Sequence, residues 1–122
     1  MRNTLGMITV GAALLLGVTA CGSTHEAQAP SVPTELPPNT VLVRDMQFTP
    51  DHLTVKAGQT VTWKFDDQGI PHDVTGTGQA AGMLKSSTIA NGTFSYVFKD
   101  PGTYDYMCSL HPQMTASVTV VP

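Results

Sequence analysis

The chain has 122 residues and a formal net charge of −3, and hydrophobic residues make up 41% of its composition. This length allows one domain, and the hydrophobic content is ordinary for a globular protein. The mild acidity and the lack of basic clusters argue against a nucleic-acid-binding protein, so no DNA or RNA partner is expected.

The first 20 residues predict an export signal with a lipidation site. Arg2 supplies a positive charge, and the uncharged, mostly apolar run 5–18 has the length of a signal-peptide core and is short for a membrane span. Residues 18–21, Val-Thr-Ala-Cys, resemble the bacterial lipobox. We therefore expect residues 1–20 to be removed and Cys21 to anchor the exported protein on the outer side of the cytoplasmic membrane, in the periplasm or at the cell surface. The alternative is a plain secretory signal.

Residues 21–40 predict a tether between the lipidated cysteine and a folded domain at 41–122. Four prolines lie among small and polar residues, a composition that cannot form a core and favours extended backbone. At about 3.1 Å per residue, such a segment holds the domain up to roughly 50–60 Å from the lipid surface.

From Val41 onward, hydrophobic residues alternate with a period of two, which predicts β-strands throughout. The alternation shifts by one residue between Val43 and Met46, which predicts a β-bulge near residues 44–45. Two later sets of inward residues are expected: Val61, Trp63 and Phe65, and then Phe94, Tyr96 and Phe98. Asn91-Gly92 predicts a hairpin turn, and residues 76–87 predict a loop, with a short irregular strand as the alternative. No long helical period occurs, so the fold class is all-β.

The stretch 108–114 carries the chemistry of the chain. Cys108 supplies a thiolate, His111 an imidazole and Met114 a thioether, and soft sulfur ligands beside imidazole select copper. If Cys21 is lipidated, Cys108 has no disulfide partner, which favours its use as a metal ligand. A site of two histidines and one cysteine with a weak axial methionine is the geometry of electron-transfer copper.

The second histidine is predicted from side-chain direction. By strand parity Cys108, Met114 and His72 all point inward. Cys108 is expected to end its strand, whereas Met114 and His72 are each expected to begin one. In a sandwich those ends meet at one pole, with His111 at the tip of the loop between Cys108 and Met114. The predicted copper ligands are therefore His72, Cys108, His111 and Met114.

Other interpretations fit the sequence less well. A single inward cysteine is usually a small buried hydrophobe. Structural zinc requires four cysteine or histidine ligands, and this chain has only one available thiolate. A Cys–His nucleophile lacks an evident orienting group and an oxyanion-donor loop, so no enzyme is expected. A thiol redox switch lacks a resolving cysteine once Cys21 is lipidated.

Residues 41–120 resemble the cupredoxins, small blue copper proteins of the plastocyanin, pseudoazurin and amicyanin group. The matching features are Phe48-x-Pro50, Leu53-x-Val55-x-x-Gly58, Val61-x-Trp63, Pro71-His72-x-Val74, Gly102-x-Tyr104-x-Tyr106-x-Cys108 and a Cys-x2-His-x2-Met loop similar to the short amicyanin type. The resemblance implies a Greek-key β-sandwich of about eight strands. It also implies one copper ion that cycles between Cu(I) and Cu(II) on the same four ligands.

The departures from the family pattern lie near His72. Many cupredoxins have Asn directly after the first histidine, where its side chain ties the two ligand loops together, whereas this chain has Asp73. Phe65 stands where many members have Asn, and the interval from Trp63 to His72 is one residue longer than in amicyanin. We expect Asp73 and Ser109 to lie beside the copper ligands.

The expected function is that of a monomeric electron shuttle that docks transiently with a redox donor and a redox acceptor protein. His111 is the expected electron port, and an apolar collar is expected around it, formed by Leu110, Pro112, Ile70 and Pro71. The alternative is a copper carrier that delivers the ion to another protein. The sequence has no Met-rich or His-rich tract for relaying copper, which favours the shuttle.

Overall fold

The structure is a computed structural model that describes residues 35–122. The predicted signal peptide, Cys21 and most of the predicted tether lie outside the described residues. Eight strands are present: β1 Thr40–Arg44, β2 Gln47–Thr49, β3 His52–Lys56, β4 Thr60–Asp66, β5 Thr75–Thr77, β6 Asn91–Val97, β7 Gly102–Cys108 and β8 His111–Val121. No helix among residues 35–122 has the length and hydrophobicity needed to span a membrane.

The strands form two four-stranded sheets, ordered β2-β1-β4-β6 and β3-β8-β7-β5. β1 runs parallel to β4 and β3 runs parallel to β8, whereas the other neighbours are antiparallel. Consecutive strands therefore often lie in different sheets. The predicted all-β fold of about eight strands is confirmed.

The core is filled by the inward residues of both sheets, and its centre is aromatic. Trp63 is fully buried, and its ring centroid lies 5.5 Å from that of Phe94 and 5.5 Å from that of Tyr106, which meets it edge-on. Such pairs contribute about 0.5–1.5 kcal/mol beyond the burial of their area. The predicted inward residues of β4 are buried, as expected. On β6, Phe94 and Tyr96 are half-buried, and Phe98, the residue after the strand, is fully buried.

The bulge predicted near residues 44–45 is wrong. β1 and β2 form a tight hairpin in which Val43 pairs with Phe48, and the turn residues Asp45 and Met46 have φ values of 53° and 58°. Positive φ at both central residues is typical of a type I′ turn, the turn that matches the twist of a hairpin. The shift in hydrophobic parity therefore arises from a reversal of the chain.

The turn predicted at Asn91-Gly92 is also wrong, because both residues belong to β6 and pair with Asp66 and Phe65 of β4. The segment 76–87, predicted as a loop, contains the end of β5 and a 3₁₀ helix, Gly78–Ala80. A Cβ atom at Gly76 would overlap the carbonyl oxygen of Ala80, so glycine is needed where this helix folds back on the strand.

Candidate metal centre

Cys108 ends β7 and its side chain is fully buried at one pole of the sandwich. Its Sγ accepts a hydrogen bond from the backbone N–H of Asp73 over 3.4 Å. A donor of this kind stabilises a thiolate and tunes the redox properties of a sulfur ligand.

His72 is fully buried and lies in the connection between β4 and β5. It was predicted to begin a strand, but β5 begins at Thr75. Instead the backbone of His72 exchanges two hydrogen bonds with Ile89, of 3.0 and 2.8 Å, in an isolated bridge. This bridge fixes the backbone of His72 beside the end of β7, and its Nδ1 lies 3.7 Å from the Sγ of Cys108.

His111 is the first residue of β8 and pairs with Cys108 across the two-residue turn at 109–110. It therefore lies just beyond the turn, whereas the sequence predicted it at the tip of a loop. Its ring is half-buried, and its Nδ1 lies 3.5 Å from the Sγ of Cys108 and 3.1 Å from the Nδ1 of His72.

The three donor atoms form a compact triangle. Its centre lies about 2 Å from each atom, close to the length of about 2.0–2.1 Å of a bond between imidazole nitrogen and zinc, a divalent ion similar in size to copper. Met114 is 4% exposed and is the fourth residue of β8, whereas the sequence predicted it at the start of a strand. With Met114, the four residues have the arrangement of a type 1 copper site. Two imidazoles, a thiolate and a thioether suit copper in both of its oxidation states, so the residues present fit this ion.

Asp73 joins the two sides of the site. Its Oδ1 accepts hydrogen bonds from the backbone N–H of Ser109 (2.8 Å) and from the hydroxyl of Thr75 (3.0 Å), and its Oδ2 accepts one from the hydroxyl of Ser109. The carboxylate thus ties the loop of His72 to the turn after Cys108.

Asp67 is a residue of the site that the sequence analysis missed. Its Oδ2 lies 2.7 Å from the Nε2 of His72, and the two carboxylate oxygens also accept hydrogen bonds from the backbone N–H groups of Asp45 and Met46. The hydrogen bond with His72 holds the pKa of Asp67 below its ordinary value; burial opposes this shift, and the two backbone bonds reinforce it. A signal was present, because Asp67 continues the inward parity of Val61, Trp63 and Phe65.

Residues 39–121 match the family model for copper-binding proteins of the plastocyanin/azurin family. The chain belongs to this family. It is 35% identical to amicyanin-alpha of Methylorubrum extorquens over 105 residues, which cover 83% of each chain. It is 29% identical to amicyanin of Paracoccus denitrificans over 98% of this chain and 95% of that one.

Solved structures give the same result. A purple cupredoxin from Nitrosopumilus maritimus superposes with a TM-score of 0.62 at 26% identity, over 67% of this chain and 98% of that one. A Cu(I) form of an amicyanin variant superposes with a TM-score of 0.61 at 33% identity, over 67% and 80%. The expected family, the cupredoxin fold and the copper cofactor are confirmed.

Proposed function

We propose that the protein is a type 1 copper electron-transfer protein, with His72, Cys108, His111 and Met114 as ligands. It carries single electrons, as a monomer, between a donor and an acceptor protein outside the cytoplasmic membrane. The observation that carries the proposal is the triangle of two Nδ1 atoms and one Sγ at a buried pole of the sandwich. Copper bound there supplies one-electron redox chemistry.

The protein side of this chemistry is to hold one geometry in both oxidation states. Cys108 would supply the strongest, most covalent bond to copper, and Met114 would supply a weak bond that tunes the reduction potential. The bridge between His72 and Ile89 and the pairing of Cys108 with His111 place these side chains on sheet-bonded backbone. Little then moves when an electron arrives.

The surface next to the site supports transient docking. Leu110 and Ile70 are 47% and 39% exposed although apolar, and the neighbouring Pro112 and Pro71 are exposed as well. We name these four residues the collar. They flank the half-buried His111 and the buried His72 in sequence. A small apolar patch of this kind suits the brief, low-area contacts of redox partners.

The proposal is tested by substitution of the collar. Leu110→Glu is expected to slow electron exchange with a partner or between copies, because the charge resists desolvation beside His111, while copper affinity stays the same. Val97→Glu is the matched control, because Val97 is apolar and 43% exposed but lies far from the site. β6 begins at Asn91, two residues after the Ile89 that bridges to His72, and Val97 lies six residues further, about 20 Å along the strand. Electron self-exchange is measured by NMR line broadening, and copper retention by competition with a chelator.

A copper carrier would behave differently in the same experiments. It would release Cu(I) to a modest chelator within seconds, because handover requires open coordination. Its electron exchange would respond equally to Leu110→Glu and Val97→Glu. These two results together would overturn electron transfer as the function and favour copper delivery.

Membrane attachment through Cys21 is a separate part of the proposal and rests on the lipobox-like sequence at 18–21. The native protein should fractionate with membranes, and Cys21→Ser should release it or stall its processing. A mature N-terminus elsewhere, without acyl chains by mass spectrometry, would contradict the anchor while leaving electron transfer untouched.

A further inference from the structure

Asp67 is a buried carboxylate next to His72. Its side chain is 3% exposed, and burying an ionised carboxylate is strongly unfavourable unless each oxygen is hydrogen-bonded. Here the partners are provided: Oδ1 lies 3.0 Å from the amide nitrogen of Asp45, and Oδ2 lies 3.2 Å from that of Met46 and 2.7 Å from the Nε2 of His72. Both backbone partners are N–H donors, one to each oxygen, so the pocket accommodates the charged form.

The β1–β2 turn explains how the carboxylate is held. With positive φ at Asp45 and Met46, the two consecutive amide groups of the turn both reach the carboxylate of Asp67. Asp67 follows the last residue of β4, whose partner β1 carries this turn. The side chain is thus fixed from one sheet, and its one remaining contact is directed at His72.

The contact with His72 decides which ring nitrogen faces the metal. A neutral imidazole has one N–H and one lone pair, and a carboxylate at Nε2 requires the N–H there. The lone pair is then on Nδ1, the atom that faces Cys108 and His111. Metal-bound histidines commonly have such a partner, which orients the ring and raises its basicity. In the described part of the chain, His111 has no carboxylate partner.

Building on the proposed function, we propose that Asp67 is a positioning residue for the copper site. It holds the ring of His72 with Nδ1 toward the metal, and its negative charge stabilises Cu(II) relative to Cu(I). The reduction potential is accordingly lower than it would be with a neutral group at this position. A buried side chain that is not itself a ligand thus contributes to both the copper affinity and the reduction potential.

The test compares Asp67→Asn with Asp66→Asn in the full-length protein. Both variants remove one negative charge at adjacent positions, but Asp66 is exposed and lies on the opposite face of β4. Asp67→Asn is expected to lose 10–100-fold in Cu(II) affinity, measured by chelator competition, with a smaller loss for Cu(I). Each tenfold excess of the Cu(II) loss raises the potential by about 59 mV in voltammetry. Asp66→Asn should leave both quantities near those of the unsubstituted protein.

A second measurement needs no substitution. In the Cu(I) form, which is diamagnetic, the Nε2–H proton of His72 should give a downfield, slowly exchanging NMR signal, because it is buried and bonded to a carboxylate. If Asp67→Asn fails to fold, this signal alone tests the hydrogen bond between Asp67 and His72. Absence of the signal overturns the proposal. Equal copper affinities and potentials in Asp67→Asn and Asp66→Asn, when both fold, also overturn it. An unsubstituted protein that gives no thiolate–Cu(II) band would instead overturn the proposed function.

Discussion

The two sides of the copper site are built in different ways. On one side, Cys108, His111 and Met114 lie within seven residues on one hairpin, and His111 is half-buried. On the other side, His72 is fully buried in a strand connection and is held by Asp67 and by a bridge to Ile89. The hairpin thus supplies three of the four donor side chains, of which only His111 is partly exposed, whereas the other side fixes the orientation of His72 in the interior. Donor chemistry and ligand positioning are assigned to separate segments.

Cys108→Ser should have the largest effect, because the thiolate faces the histidines of both sides. We expect the intense visible band of the Cu(II) protein to vanish, since that band arises from charge transfer between thiolate and copper. The sandwich should stay folded, because serine is close in size to cysteine, and circular dichroism checks this. Retention of the visible band would show that Cys108 is not a ligand.

Removing each histidine sharpens the comparison. His72→Ala and His111→Ala should both weaken copper binding more than Met114→Leu does, because a thioether would bind copper more weakly than an imidazole at such a site. Added imidazole should restore the visible band in His111→Ala, whose gap lies near solvent, and restore it far less in His72→Ala, whose site is fully buried. Equal rescue of both variants would contradict the idea that His111 is accessible from solvent and His72 is not.

Asp73→Asn should have a smaller effect, limited to the potential. The geometry tolerates the amide: Oδ1 can keep accepting from Ser109 N–H and Thr75, and the hydroxyl of Ser109 can rotate to accept from the new NH₂. A unit charge at a separation of about 6 Å is worth roughly 0.7 kcal/mol in bulk water and roughly 2.8 kcal/mol at an effective dielectric of 20, so its loss should raise the potential by roughly 30–120 mV. Asp105→Asn, an exposed change on β7, is the control for voltammetry. Equal potentials in the two variants would show that Asp73 does not act on copper electrostatically.

The sequence predicted the hairpin side of the site better than the His72 side. Cys108, His111 and Met114 are close in sequence, so strand parity and spacing are enough to bring them together. The environment of His72 depends on a strand connection whose path the residue pattern does not show, because the bridge to Ile89 pairs backbone groups outside the regular strands. The inward parity of β4 points to Asp67 as a buried residue, but not to its hydrogen bond with His72. The hydrophobic pattern predicts a bulge where the structure has a type I′ turn at Asp45-Met46, because both arrangements shift hydrophobic parity by one residue.

The parallel pairing of β3 with β8 has a consequence for the time at which Cys108 becomes protected. This pairing brings His52 beside Ser117, 65 residues away, and folds rich in such distant contacts form on a scale of milliseconds to seconds. Until β8 has docked between β3 and β7, the thiol next to it is open to disulfide exchange and oxidation, and afterwards it is fully buried. In an oxidising compartment, folding therefore competes kinetically with oxidation of the Cys108 thiol. The yield of protein that can bind copper then depends on folding being faster than this oxidation.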